Sequence, residues 1–192
     1  MFRLGKGSSS EGYSGSDSYR HVDGLIKGKG SFLRVITPYI TADYARMLLN
    51  ASKKKKVFLL VSNSPGNAES IKILGSRSRR FGLELVLWIL MLGIAVMLLG
   101  LWILVPALFV IWVTTIIFTI KYGSSYPNMH LKVAKGQLVH EKLYLGDDRA
   151  IIGSANLTYS GMHRNMEHIE IISDSGKLRE LLDHFDEIWA KY

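Results

Sequence analysis

A chain of 192 residues with 48% apolar side chains is long enough for one modest domain, and its apolar content is concentrated in one block. Lys and Arg number 24 against 16 Asp and Glu, and the net charge of +8 suits an anionic partner, either nucleic acid or acidic lipid headgroups. There is no cysteine, which excludes disulfides and thiolate-held metals and leaves the compartment open.

Residues 1–18 are rich in Gly and Ser, lack an apolar run of signal-peptide length, and read as a flexible tail. Residues 19–80 read as the first part of a folded domain. Within it, Phe32–Ile40 is an apolar strand, and Thr41 can cap a helix over 42–52 that puts Tyr44, Met47 and Leu48 on one face. Lys53–Lys56 reads as a solvated loop held near anionic lipid. A nucleic-acid path is the alternative there, without interleaved aromatics to support a stacking groove. Lys56–Ser62 is a second strand and Asn67–Leu74 a second helix.

From Phe81 to Ile120 the only charged residue is Glu84. A single helix of this length would reach about 60 Å, twice a bilayer core of about 30 Å, so a two-helix membrane hairpin over 81–120 fits better. Gly100 and Pro106 bracket its turn. Arg77, Arg79 and Arg80 precede the block and Lys121 follows it. A hairpin returns the chain to its starting side, and the positive-inside rule makes that side the cytoplasm.

Residues 121–192 read as the second part of the domain. Met129–Ala134 is a strand, Leu138–Leu145 and Ala150–Ser154 a hairpin, and Glu167–Ser173 another strand. Lys177–Tyr192 is an amphipathic helix with Leu178, Leu181, Leu182, Phe185, Ile188 and Trp189 at helical spacing. Neither half holds enough elements for a core alone, so the halves are expected to pack as one α/β domain with a mixed sheet.

The chemistry concentrates in the second half. On a strand, residues two apart share a face, so His140 aligns with Lys142 and Ser154 with Asn156. This supplies a nucleophile or general acid, a cation and two neutral donors, a set that suits a phosphodiester. Lys142, Ser154 and Asn156 are the candidate contacts to phosphate oxygens. Glu167 can accept the Nδ1–H of His140 and fix its tautomer. Asp147, beside Asp148, falls where a turn between two strands is expected and suits a structural role better than a catalytic one. His163 and His168 have no strong metal-ligand spacing, and no metal or cofactor is required, because Lys142 and the donors supply the electrostatics. His130 and Lys132 form a second His-x-Lys without a following GSxN, an ordinary strand pattern.

The stretch LVHEKLYLGDDRAIIGSANLTYSGMHRNME resembles the HKD motif of the phospholipase D superfamily, HxK, four residues, Asp, about six residues, GSxN. His140, Lys142, Asp147 and Gly153-Ser154-Ala155-Asn156 occupy it, with five residues instead of six between Asp147 and Gly153. Asn165-x-Glu167 also resembles a pair frequent in the family. The resemblance implies an α/β/α sandwich interrupted here by the membrane hairpin, and catalysis through a phosphohistidine. It implies a second histidine from another motif, hence a homodimer, because this chain carries one motif. The reading that follows is a membrane-anchored, metal-independent phosphodiesterase, foremost a nuclease. The alternatives are a phospholipid hydrolase or phosphatidyl transferase, and a non-catalytic scaffold of the same fold.

Overall fold

The computed structural model describes residues 10–75, 79–98, 100, 106, 108–114, 128–136 and 139–192, with side chains of 79–86 excepted. It divides into two units, residues 1–75 with 127–192, and residues 76–126.

The first unit is built on a seven-stranded sheet in the order β1-β7-β6-β5-β2-β3-β4. Its strands are β1 (Ser10–Gly15), β2 (Phe32–Thr37), β3 (Lys56–Ser62), β4 (Met129–Ala134), β5 (Leu143–Leu145), β6 (Ala150–Gly153) and β7 (Glu167–Ile172). β2, β3 and β4 are mutually parallel, and all other pairs are antiparallel, so the sheet is mixed. β2 pairs with β3 on one side and β5 on the other, and its Leu33, Val35, Ile36 and Thr37 are buried.

Helices cover both faces. α1 (Tyr19–Lys27), α2 (Ala42–Ser52) and α3 (Ala68–Gly75) pack on one, where Leu33, Val35, Leu48, Leu59 and Tyr144 are buried. A short helix, α5 (Tyr159–His163), follows β6, and α6 (Ser175–Lys191) closes the chain. Leu178 and Phe185 of α6 join Ile36, Leu60, Leu143 and Leu145 in the core of the opposite face. Arg34 fastens this layer: its guanidinium meets Asp186 at 2.8 Å and lies 5.2 Å from the Phe185 ring centroid.

Several expectations are met closely, including β3, β4 and α2. The expected flexible tail over 1–18 is corrected from residue 10 onward, and residues 1–9 lie outside the described residues. Residues 10–15 pair with Ile172–Glu167 as an edge strand, although the segment has none of the apolar alternation that signals one. Backbone hydrogen bonds, not side-chain burial, place it there. The expected helix start at Asn67 moves by one residue because Asn67 is buried and bonds Ile40, Pro38 and Ser62 through its side chain. Lys55 is no solvated loop residue. It is 5% exposed, and its ammonium donates to the carbonyls of Leu25 and Gly28, both at 2.9 Å, satisfying the C-terminal end of α1.

In the second unit, α4 (Arg79–Leu98) spans 20 residues and residues 108–114 are helical. Gly100 between them has φ +71°, the left-handed region that ends a helix. Leu87, Trp88, Met91, Leu98, Phe109 and Val110 are exposed. Among the described residues no helix is long and apolar enough to cross a membrane. Much of the expected hairpin, including Arg77, Trp102 and Lys121, lies outside the described residues.

The β5–β6 connection holds Asp147, whose carboxylate accepts from the Ser31 amide at 2.7 Å, the Ser31 hydroxyl at 2.9 Å and the Phe32 amide at 3.3 Å. Desolvation pushes this carboxyl up, but the Ser31 and Phe32 bonds and the charge of Lys55 outweigh it and hold the pKa below the ordinary value. A lowered native pKa means the stabilisation is complete above the unfolded-state value and is lost as pH falls through the native one. Asp147→Ala is therefore expected to cost about 1–2 kcal/mol at neutral pH, discounted for exposure. Chemical denaturation at pH 7 and at pH 3 would check this, because the gap between wild type and variant should narrow as pH falls toward the lowered native pKa.

Candidate active site

The site forms where the C-terminal end of β2 meets the entry to β5 and the exit from β6. Residues 139–142 are not part of β5, which begins at Leu143. Lys142 is 6% exposed and His140 is exposed, so the motif presents its histidine to solvent and buries its cation. The Lys142 ammonium donates to the His140 carbonyl at 2.7 Å and sits 3.3 Å from each His140 ring nitrogen. Burial lowers the Lys142 pKa, and the charge of Glu167 opposes that shift.

The GSAN loop is held from several sides. Gly153 has φ +155°, and a Cβ there would lie 2.1 Å from the His168 carbonyl oxygen, so only glycine lets β6 approach β7 this closely. The buried Tyr144 hydroxyl donates to the Ala155 carbonyl at 2.7 Å. The Leu157 amide donates to Thr37 Oγ1 at 3.2 Å, and Thr41 N–H to the Leu157 carbonyl at 3.1 Å, tying the loop to the end of β2. Thr158 then caps α5 by accepting from the Gly161 amide at 3.1 Å.

Ser154 Oγ donates to Glu167 in a short hydrogen bond and accepts from the His168 amide at 3.0 Å. Asn165 Nδ2 donates to the other Glu167 oxygen at 3.1 Å. Glu167, 9% exposed, is thus shared by Ser154 and Asn165 and lies near Lys142. The expected hydrogen bond from His140 to Glu167 does not form, and the carboxylate is committed to Ser154 and Asn165 instead. Asn156 Oδ1 is buried without a hydrogen-bond partner.

His140 and Lys142 therefore come from the segment before β5, Ser154 and Asn156 from the loop after β6, and Glu167 from the start of β7. Asp147 does not join them; it sits five residues beyond Lys142, at the far end of β5, about 15 Å along an extended chain. His130 stacks on Phe58 at 4.6 Å and Lys132 donates to the Trp189 carbonyl at 2.7 Å, so the second His-x-Lys serves packing. His163 and His168 have separate surroundings, with His168 Nδ1 2.8 Å from Ser14 Oγ. No group of three or more metal-ligating His, Asp or Glu side chains converges among the described residues.

An open cleft of about 670 Å³ borders His140, Lys142, Gly153 and Ser154 and continues to Lys177, Glu180, Leu181 and His184 of α6. The α6 residues follow the i, i+3, i+4, i+7 rhythm of one helix face, which was readable, but their meeting with Glu141 was not. His184 Nε2 lies 3.1 Å from both Glu141 oxygens.

Comparison with known proteins fits this geometry. Residues 116–189 match the family model described as Cardiolipin synthase, PLD-like domain. The fold is phospholipase D-like. It is similar to the phospholipase D family member Nuc from Salmonella typhimurium, with 14% identity, 95% of each chain covered and a TM-score of 0.57. It is also similar to NucT from Helicobacter pylori, with 16% identity, a TM-score of 0.55 and coverage of 95% of this chain and 96% of that one. Phosphatidylserine synthase from Haemophilus influenzae Rd KW20 matches at 13% identity and a TM-score of 0.51, over 97% of this chain and 39% of that one. No curated protein sequence matches.

Gly153→Ala is expected to cost about 3 kcal/mol or more, because its Cβ meets backbone that cannot step aside. A fall in melting temperature exceeding that of Gly24→Ala, where nothing lies within 4 Å, would show it.

Proposed function

We propose that this phospholipase D-like domain is a phosphodiesterase acting through His140 without a metal, most simply a nuclease. The observation that carries the reading is the buried Lys142 ammonium facing the exposed His140 ring. A cation removed from water interacts more strongly with a phosphate oxygen than a solvated one. In the proposed reaction a His140 nitrogen attacks phosphorus, a P–N bond forms, and the P–O bond to the leaving group breaks. The leaving oxygen takes a proton from His140 of a second copy. Water then attacks phosphorus, the P–N bond breaks, and the water proton returns to that second histidine. Lys142 shifts from the His140 ring to a phosphate oxygen, and the Asn156 Nδ2 group donates to another. Ser154 is held by Glu167 and can turn its bond to substrate only if Asn165 keeps the carboxylate in place. The reading includes a homodimer: the two-histidine route takes its second histidine from another copy, and the sequence carries one His-x-Lys followed by GSxN.

We further propose that the apolar segment 81–120 anchors the domain to a membrane with its soluble parts in the cytoplasm. The support is the sequence length of the block, the basic residues before it, and the exposed apolar side chains of α4, Trp88 at 70% and Leu98 at 81%. The phosphatidyl-transfer reading has its own support in the family description of residues 116–189. Headgroup exchange in mixed micelles, without cleavage of any DNA or RNA, would favour it.

The deciding assay is hydrolysis of an activated phosphodiester by detergent-purified protein in excess chelator. His140→Ala is expected to lower turnover by about 10³-fold or more. Turnover abolished by chelator, or retained by the variant, would overturn the mechanism. The rate is also expected to fall at alkaline pH as Lys142 loses its proton, below the ordinary lysine value of 10.5. Because the charge of Glu167 raises the Lys142 pKa, Glu167→Gln should move this alkaline limb to lower pH.

A further inference from the structure

The rings around α5 form a row that no sequence pattern announces. His163 is stacked by Tyr19 at 4.3 Å between centroids and 22°, and by Tyr159 at 4.7 Å and 24°. Tyr19 opens α1, while Tyr159 and His163 belong to α5, directly after the GSAN loop. His163 Nε2 lies 3.3 Å from the Tyr44 hydroxyl, which anchors the middle ring to α2. The Arg164 guanidinium carbon lies 5.2 Å from the Tyr159 centroid, and that of Arg20 lies 6.0 Å from the Tyr19 centroid.

Two features distinguish this row from ordinary packing. Tyr159 keeps 51% of its surface in solvent, whereas a ring serving only the core is expected to be covered. An arginine lies over each flanking tyrosine, and both arginines are exposed. Aromatic faces for bases combined with guanidinium groups for phosphates are the composition of a surface for unpaired nucleic acid.

The row adjoins the GSAN loop, since Tyr159 lies three residues after Asn156. Ser154 of that loop borders the same cleft as His140 and Lys142.

We propose that Tyr19, His163, Tyr159 and Arg164 form a stacking platform for unpaired nucleobases that holds a single strand beside His140. This rests on the phosphodiesterase reading of the His140 site and names its substrate as nucleic acid with unstacked bases. Arg164 occupies the Tyr159 face with a planar group of base-like shape. Being exposed, it yields that face at little cost and then sits beside the incoming phosphate.

The test compares binding of a labelled oligothymidylate with that of an abasic strand of equal length and charge, using the full chain in detergent. Wild type is expected to prefer the base-bearing strand. Tyr159→Ala should weaken that binding about 5- to 100-fold, toward the abasic value, while Tyr159→Phe retains it. Hydrolysis of a base-free activated diester should be unchanged in Tyr159→Ala. Equal binding of both strands by wild type, or no loss in Tyr159→Ala, overturns the platform. So does a loss that tracks dissociation of a dimer in sedimentation, which would assign the exposed ring to a contact between copies. If wild type binds bases but fails to cleave the base-free diester, the phosphodiesterase reading falls while the platform stands.

Discussion

The antiparallel pairing of β2 with β5 is the constraint on which the rest of the molecule depends. It joins residues on either side of the apolar block, matching Arg34 with Leu145 and Ile36 with Leu143. The parallel pairing of β3 with β4 crosses the same gap over six residue pairs. Neither half has a closed core without the other, since Ile36 and Leu60 of the first half share a cluster with Leu143, Leu145 and Phe185 of the second. Asp147 strengthens the seam from outside by binding the first residues of β2. These three bonds tie the β5–β6 turn to the start of β2.

The seam also makes the site possible. A buried ammonium is costly unless its protons are engaged. Lys142 reaches a carbonyl at one proton and the His140 ring at another, with the Glu167 charge nearby. Glu167 is in turn occupied by Ser154 and Asn165. The loop carrying Ser154 and Asn156 is fixed by Thr37, at the end of β2, and by Tyr144 of β5. Each chemical group is therefore positioned by a contact that crosses from one segment to another. A fold that slipped the β2–β5 register by one residue would move Tyr144 to the wrong face and release the loop.

What was legible in the sequence follows from this division. β3 and α2 are local patterns of apolar residues, and they appear with the bounds the sequence predicts. The spacing of His140, Lys142 and GSAN was legible because the motif lies within one β-hairpin neighbourhood. The features that escaped are made by partners distant in sequence. β1 is Ser- and Gly-rich and is held by hydrogen bonds to β7, so composition pointed to a tail. Lys55 lies in a run of four lysines, and only the end of α1 beside it explains why one of them is buried. Tyr19 and His163 are separated by nearly the whole domain, so their stacking left no local trace. Glu167 was recognised as a site residue, but its commitment to Ser154 depends on the close approach that Gly153 permits.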